Sequence, residues 1–182
     1  MIARLRSGRS CLDFAHTGSD EHMHDLVTDD VDLGRLLAMI TDAPVVEVHR
    51  GDLGRARALR EAIRLSALDI IRGDVVRGQQ VAVVNAAALA FPLAPSITLD
   101  GRIHVGSGTA TQALSTIARD AIDLFAAELV APMRPRRLRE CGADDCGLFI
   151  LDTSRPNNRR WCSMELCGNR SKIRAYRARS GD

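Results

Sequence analysis

Four of the five cysteines in this 182-residue chain lie within 27 residues near its C-terminus. They form two pairs, with four residues inside each pair and fifteen residues between the pairs. Two close pairs joined by an insert of hairpin length are typical of a tetrahedral zinc site, and four thiolates leave no open position for a substrate. We therefore predict one structural Zn²⁺ per chain, with the ligands Cys141, Cys146, Cys162 and Cys167. The alternative is four unrelated cysteines.

The residues around the two pairs predict a small module. Leu148–Leu151 reads as a strand, residues 152–158 as a turn, and Arg159–Trp161 as a returning strand that carries Cys162. A helix is expected from Ser163 onward. Because a module of this size has too little apolar core to fold alone, we expect metal binding to drive its folding.

The remainder of the chain favours helices. Hydrophobic residues make up 46% of the sequence and aromatic residues only 3%, so the core must be built from Ala, Leu, Ile and Val. We predict an α+β fold in which a mostly helical N-terminal domain with a small β-hairpin, residues 1–131, precedes the zinc-bound hairpin–helix module, residues 132–182. The proline- and arginine-rich segment 132–137 marks the expected boundary.

Periodicity and capping residues place the elements of the N-terminal domain. Helices are predicted over about residues 31–41, 53–72, 75–90 and 110–130. The helix at 75–90 is nearly all Val and Ala, so we expect it to be well buried. Asp100-Gly101 predicts a hairpin with a type I′ turn, and residues 9–17 read as a short strand or extended segment.

Charge is distributed unevenly along the chain. Residues 1–130 contain 13 arginines and 17 acidic residues, a net charge of −4, whereas residues 131–182 contain 12 basic and 6 acidic residues, a net charge of +6. Four thiolates around Zn²⁺ reduce the second value by about 2. A basic module on an acidic body suggests a polyanionic partner. The alternative is a solvated, arginine-rich surface that keeps the protein soluble.

Two features bear on location. No run of apolar residues reaches the length of about 18 that a membrane-spanning helix requires. The N-terminal residues are basic but lack the apolar core of a signal peptide. We therefore expect a cytoplasmic protein with no membrane partner, whose thiols stay reduced.

Motifs at both ends resemble a known family. The strings RRWC (159–162) and CGNR (167–170), with DC (145–146) and FILD (149–152) before them, resemble the CGNR zinc finger, which is named for the tetrapeptide at 167–170. LDFAHT (12–17) and LRE (59–61) are similar to segments of the ABATE domain of the same proteins, although His16 stands where Asn is expected. The resemblance implies a bacterial, stress-linked transcription regulator whose four cysteines bind zinc and whose finger binds DNA.

Basic residues of the module are the candidate DNA contacts. Arg170, Arg174 and Arg177 follow one stripe of the predicted helix, and arginines are suited to phosphates and to base edges in the major groove. The full predicted set is Arg159, Arg160, Arg170, Lys172, Arg174, Arg177 and Arg179. The alternatives are that these side chains are solvated or paired with acidic residues, and that Arg170 bonds to a thiolate or carbonyl within the finger.

Polar residues in apolar surroundings suggest a sensor site in the N-terminal domain. A small anionic ligand is predicted to bind Asp13, His16, Thr17, Arg60 and Arg64. The alternative is a buried ion pair, such as Arg60 with Asp13, that orients the domain. His16, His22 and His24 lie near Asp20 and Asp25 and suggest either a second metal site or a polar loop. The lone Cys11 suggests either a redox sensor or a small core residue.

Together these features favour a transcription regulator that binds DNA through a structural zinc finger and senses a small ligand through its N-terminal domain. A homodimer is possible because regulators often read paired half-sites. The alternative is a zinc-scaffolded protein- or RNA-interaction module. We expect no enzymatic activity, because the sequence has no recognisable nucleophile–base pair or phosphate-binding loop.

Overall fold

The structure, a computed structural model, describes residues 7–18, 25–130 and 135–180, without the side chains of Arg179 and Ser180. It has an α+β architecture that is mostly helical, which confirms the predicted fold class. The helices are α1 (Ser10–Ala15), α2 (Asp30–Thr41), α3 (Asp52–Arg72), α4 (Gly78–Ala88), α5 (Ala110–Val130) and α6 (Asn169–Ser180). No helix within the described ranges has the length and apolar character needed to cross a membrane.

In the described part of the chain, six short strands form three two-stranded sheets. The strands are β1 (Val46–Glu47), β2 (Pro95–Ile97), β3 (Ile103–Val105), β4 (Gly108–Thr109), β5 (Leu138–Glu140) and β6 (Phe149–Leu151). β1 pairs with β4 in parallel, while β2–β3 and β5–β6 are antiparallel.

The main core surrounds α5, which packs against α1, α2, α3 and α4. Its largest fully buried side chains include Leu12, Phe14, Leu33, Leu37, Leu59, Ile63, Ile70, Ile117 and Leu124. Thr109 and Gln112 start α5 with a capping box: the Thr109 N–H donates to Gln112 Oε1 at 3.0 Å, and the Gln112 N–H donates to Thr109 Oγ1 at 3.4 Å.

The segment predicted as a strand at residues 9–17 is instead the short helix α1. Four of its six side chains, Cys11, Leu12, Phe14 and Ala15, are buried. Because neighbours cover most of its surface, α1 lacks the amphipathic period by which a helix is recognised in a sequence.

Two further details differ from expectation. α4 is not well buried, since only Gln80 and Val84 are covered along it. The β2–β3 hairpin is present, but its turn is not type I′: the Gly101 N–H donates to Thr98 O at 2.9 Å, and Gly101 takes a φ of +79°. The connection is therefore a three-residue loop that ends in a left-handed glycine.

Candidate metal centre and the finger around it

The first cysteine pair lies at the tip of the β5–β6 hairpin. The Cys141 N–H donates to Leu148 O at 2.7 Å, which extends the ladder of the hairpin to the first ligand. The Cys146 N–H closes a turn onto Ala143 O at 3.0 Å, and Gly147 returns the chain to β6 with a left-handed φ of +57°. Both cysteines of the pair are thus held by backbone hydrogen bonds.

The predicted returning strand Arg159–Trp161 is wrong, because β6 pairs with β5 rather than with the segment that follows it. The second cysteine pair reaches the first through two other bonds. The Gly142 N–H donates to Arg160 O at 2.7 Å, and the Cys162 N–H donates to Cys141 Sγ at 3.3 Å. An N–H directed at a ligand sulfur stabilises the thiolate form that a metal requires.

The four cysteine sulfurs lie within 4.8 Å of one another. Cys146 Sγ is 3.6 Å from Cys162 Sγ, which is 3.5 Å from Cys167 Sγ. A tetrahedral zinc with Zn–S bonds of about 2.3 Å requires sulfur separations of about 3.8 Å, so the cage has the right size. Chemistry and spacing both fit the predicted cofactor, one structural Zn²⁺.

The thiol pKa values show why this cage needs a cation. Burial is the largest cause that raises the pKa of Cys167, to about 11, and the hydrogen bond with Cys162 is the largest cause that raises the pKa of Cys146. Four sulfurs packed this closely cannot all carry charge unless a divalent ion compensates for it. Zinc supplies that charge, and binding it releases protons from the cysteines.

Trp161 covers one side of the metal centre, and two glycines make room for it. A Cβ on Gly168 would lie 2.8 Å from Met164 Sδ and 3.2 Å from Trp161 Cδ1. A Cβ on Gly142 would lie 3.4 Å from the same indole ring. The glycine of the CGNR string is therefore explained by close packing around the metal centre.

Cys167 lies in one turn of π-helix, Met164–Gly168, that leads into α6. Ser163 caps this turn, since its Oγ accepts the Leu166 N–H at 3.3 Å. Asn169 has helical dihedral angles and begins α6. The asparagine of the CGNR string thus continues the helix instead of capping it.

Asp145 links α6 to the first cysteine pair. Its carboxylate lies 3.0 Å from Arg170 Nη2 and 2.9 Å from Arg174 Nη2. The same Arg170 nitrogen lies 3.4 Å from Cys167 Sγ, as the alternative of a bond within the finger requires. The hydrogen bond from Arg174 is the largest cause that lowers the pKa of Asp145. From the sequence, Asp145 is named only within the DC string at 145–146 and receives no role, although an acid inside a cysteine pair of a basic module is a signal for one.

The predicted DNA contacts fall into distinct environments. Arg159 points into the finger, where Nε donates to Trp161 O at 3.1 Å and Nη2 donates to Cys162 O at 2.7 Å. Arg160 is exposed, and its guanidinium lies 4.8 Å from the centre of the Trp161 ring. Lys172 and Arg177 are exposed on α6. The side chain of Arg179 lies outside the described part of the chain.

The predicted ligand residues are engaged with other groups of the protein. Arg60, which is 9% exposed, donates to both carboxylate oxygens of Asp25 at 2.7 and 2.8 Å and to Thr17 O at 3.2 Å. These bonds are the largest cause that lowers the pKa of Asp25. The orienting ion pair that the sequence offered as the alternative is present, with Asp25 in place of Asp13.

The other candidates lie apart from Arg60. Asp13 Oδ1 accepts the Ser7 N–H at 2.8 Å. Arg64 forms a two-pronged ion pair with Glu61, at 2.8 Å for each contact. The structure therefore brings Thr17 and Arg60 together but places Asp13 and Arg64 in separate contacts.

His16 joins the helical domain to the finger. Its Nε2 accepts the Phe149 N–H at 2.9 Å and lies 3.1 Å from Phe149 O, and the two rings are 5.2 Å apart. Accepting that bond requires Nε2 to be unprotonated. His16 thus has a structural role at the start of β6.

The remaining candidates were Cys11 and the histidine cluster. Cys11 is fully buried, and burial is the largest cause that raises its thiol pKa well above the ordinary value, which favours a core role. Asp20, His22 and His24 lie outside the described residues. Within the described ranges, the four cysteines are the only cluster suited to a metal.

Comparison with known families agrees with this geometry. Residues 137–180 match the model described as CGNR zinc finger. Residues 8–128 match the model of ABATE, described as "Putative stress-induced transcription regulator", and cover well over half of the chain. The chain belongs to the ABATE family. No curated protein matches it. The ABATE and CGNR regions correspond to the helical core and the zinc finger of the structure.

Proposed function

We propose that this ABATE protein is a transcription regulator that binds duplex DNA through its zinc finger, with α6 as the element that contacts DNA. The observation that carries the proposal is the charge of α6. Its twelve residues include four arginines and one lysine but no acidic residue. Anchored at one end by the zinc site, it presents a dense positive charge, which phosphates attract.

The surroundings of α6 support this assignment. Every residue from 172 to 178 is exposed, and the π-turn that precedes α6 is its main packing partner. A helix of 12 residues is about 18 Å long, and the major groove of B-DNA admits an α-helix. Because so short a helix is only marginally stable by itself in water, bound DNA would provide the contacts that it lacks.

The contacts of each cation support different roles within this proposed surface. Lys172 and Arg177 have no bonding partner among the described residues, and Arg160 is displayed on Trp161. We assign these three to phosphate contacts. Arg170 and Arg174 hold the helix on Asp145, and Arg159 braces the backbone of the second cysteine pair, so their first role is to orient the surface.

The test measures the affinity of the zinc-loaded protein for a fluorescent random-sequence duplex by anisotropy at several salt concentrations. We expect binding at low salt and a steep loss between about 50 and 200 mM salt. Replacing both Lys172 and Arg177 with Ala should weaken binding and lower the log–log salt slope by about 2, one for each lost phosphate contact.

A matched control removes two exposed arginines from the helical domain, Arg35→Ala with Arg50→Ala. This variant loses the same charge and should bind DNA like the unchanged protein. If the two double variants behave alike, or if the duplex does not bind at low salt, the proposal fails. Binding to single-stranded RNA but not to the duplex would favour the interaction-module alternative.

Ligand sensing by the helical domain is a second part of the proposal, supported by the polar groups around Arg60. A small anion would have to replace the Asp25 carboxylate on this guanidinium. Thermal unfolding in phosphate against chloride of equal ionic strength tests it. A higher midpoint in phosphate that Arg60→Gln abolishes would support sensing, whereas equal midpoints would overturn it.

A further inference from the structure

A long uncharged stretch lies on the surface of the helical domain. From Gly78 to Leu99 the sequence contains 22 residues without a single Asp, Glu, Lys or Arg. Together with β3, this stretch exposes six large apolar side chains, which we call the apolar surface: Val81, Leu89, Phe91, Ile97, Leu99 and Ile103.

α4 supplies the first part of the apolar surface. The helix has no charged residue, and among its large apolar side chains only Val84 is buried. The exposed face of a helix normally carries charged and polar residues. The outer face of α4, which includes Val81, is left uncovered in the single chain.

The β2–β3 hairpin supplies the second part. Ile97 lies directly opposite Ile103, so the two side chains share one face of the sheet. They are 77% and 80% exposed, and Leu99 at the tip of the hairpin is fully exposed. Between helix and hairpin, Leu89 and Phe91 are 85% and 87% exposed. Large apolar side chains this exposed are candidates for an interaction site on a protein surface.

We propose that the apolar surface is the contact of a symmetric homodimer, in which it packs against the same surface of a second copy. The six side chains expose on the order of 800 Å², the area that each partner of a standard interface buries. The stretch from Gly78 to Leu99 is uncharged, and the two charged residues between Leu99 and Ile103, Asp100 and Arg102, pair with each other at 3.0 Å. The surface therefore carries no net charge that would repel a second copy, and a two-fold contact needs only one self-complementary patch.

The test is the oligomeric state of the zinc-loaded chain without DNA, by light scattering coupled to size exclusion at up to about 100 μM, since interfaces of this size span μM to pM affinity. We expect twice the mass of one chain. Leu89→Glu combined with Ile97→Glu should give single chains, because a glutamate buried in an apolar contact pays a large desolvation cost.

The control is Val31→Glu, which places the same charge at an exposed valine of α2 and should stay dimeric. Circular dichroism and one zinc per chain confirm that each variant is folded. A single-chain mass for the unchanged protein overturns the proposal, as does a dimer that survives the double substitution or that Val31→Glu also disrupts. DNA plays no part in this measurement, so its failure leaves the proposed DNA binding untouched.

Discussion

The helical domain and the zinc finger are stabilised in opposite ways. The first buries a continuous core of aliphatic side chains around α5, including Leu59, Ile63 and Ile117. The second has a separate cluster in which three cysteine ligands are accompanied by only Ala143 and Leu148, with Trp161 and Cys162 partly buried beside them. The hydrophobic effect suffices for the helical domain, whereas metal bonds must replace it in the finger.

The two regions meet at β5 and β6. Leu138 and Phe149 belong to the main core, while Leu148, one residue before Phe149, belongs to the cluster at the metal centre. Adjacent residues of one short segment thus face different cores, since side chains alternate along a strand. Contact between the helical domain and the metal centre therefore runs through this segment.

The largest expected effect is loss of the finger when a zinc ligand is removed. Cys146→Ser should abolish zinc binding and unfold the metal centre together with α6, because structural zinc contributes about 10–16 kcal/mol to such modules. The helical domain should stay folded. Trp161 is the only tryptophan of the chain and reports on the finger, while circular dichroism follows the helices.

Cys11→Ala is the control for that substitution. It removes a buried thiol from the main core and should leave one zinc per chain. Persistent finger structure without metal, seen as unchanged Trp161 emission and amide protection, would contradict the contrast between the two regions.

The corresponding substitution in the helical domain is Ile63→Ala. Ile63 is fully buried on α3, and its truncation should lower the free energy of unfolding of the helical domain by about 2–5 kcal/mol, from lost burial and the cavity left behind. Urea unfolding followed by circular dichroism measures the loss. In native buffer the variant should still hold one zinc per chain. A drop in zinc affinity that matches the loss of unfolding free energy would show that the finger depends on the same core.

The same contrast explains how far the sequence predicts the structure. Zinc ligation was readable because its signal is chemical: four cysteines in two close pairs can do little else in a reduced chain. The strand with which β6 pairs could not be inferred from the sequence. Turn-forming residues flank it on both sides, at 142–145 and 153–158, and either could join it to a partner. β6 pairs with β5, the strand that precedes it in the chain, because Leu138 of β5 and Phe149 of β6 both reach the main core.

The burial of individual helices also cannot be predicted well from this sequence. α1 is covered on most sides and therefore shows no helical period, whereas α4 has the composition of a buried helix and is largely exposed. The ion-pair partners of charged residues cannot be predicted from the sequence either, as Asp25 shows. It lies 35 residues from Arg60 along the chain, and only the fold brings the two together.

A smaller effect is expected at the contact between the two regions. His16→Ala removes the acceptor of the Phe149 N–H, and a buried donor without a partner costs about 1–3 kcal/mol. Because Phe149 begins β6, both the helical signal and Trp161 emission should shift, and amide exchange at Phe149 should accelerate. His49→Ala, at an exposed histidine, is the control. A shift in only one of the two signals would show that His16 does not couple the regions.

The smallest effect concerns the ion pair between Asp25 and Arg60, within the helical domain alone. Asp25→Asn keeps the shape but removes the charge, and should lower the free energy of unfolding at neutral pH by about 1 kcal/mol, the difference between a charged and a neutral hydrogen bond. Since the pair lowers the pKa of Asp25, its stabilisation is complete above the unfolded value of about 3.9 and is lost as the pH falls through the folded value.

Urea unfolding of both proteins at pH 7, 5, 4 and 3 tests this sign. Acid-induced release of zinc affects both chains equally, so the difference between them isolates Asp25. That difference should be constant from pH 7 to 5 and should shrink below about pH 4. Asp100→Asn, in the exposed pair with Arg102, should produce almost no difference at any pH. A difference that grows on acidification would mean that Asp25 is not stabilised as a carboxylate by Arg60.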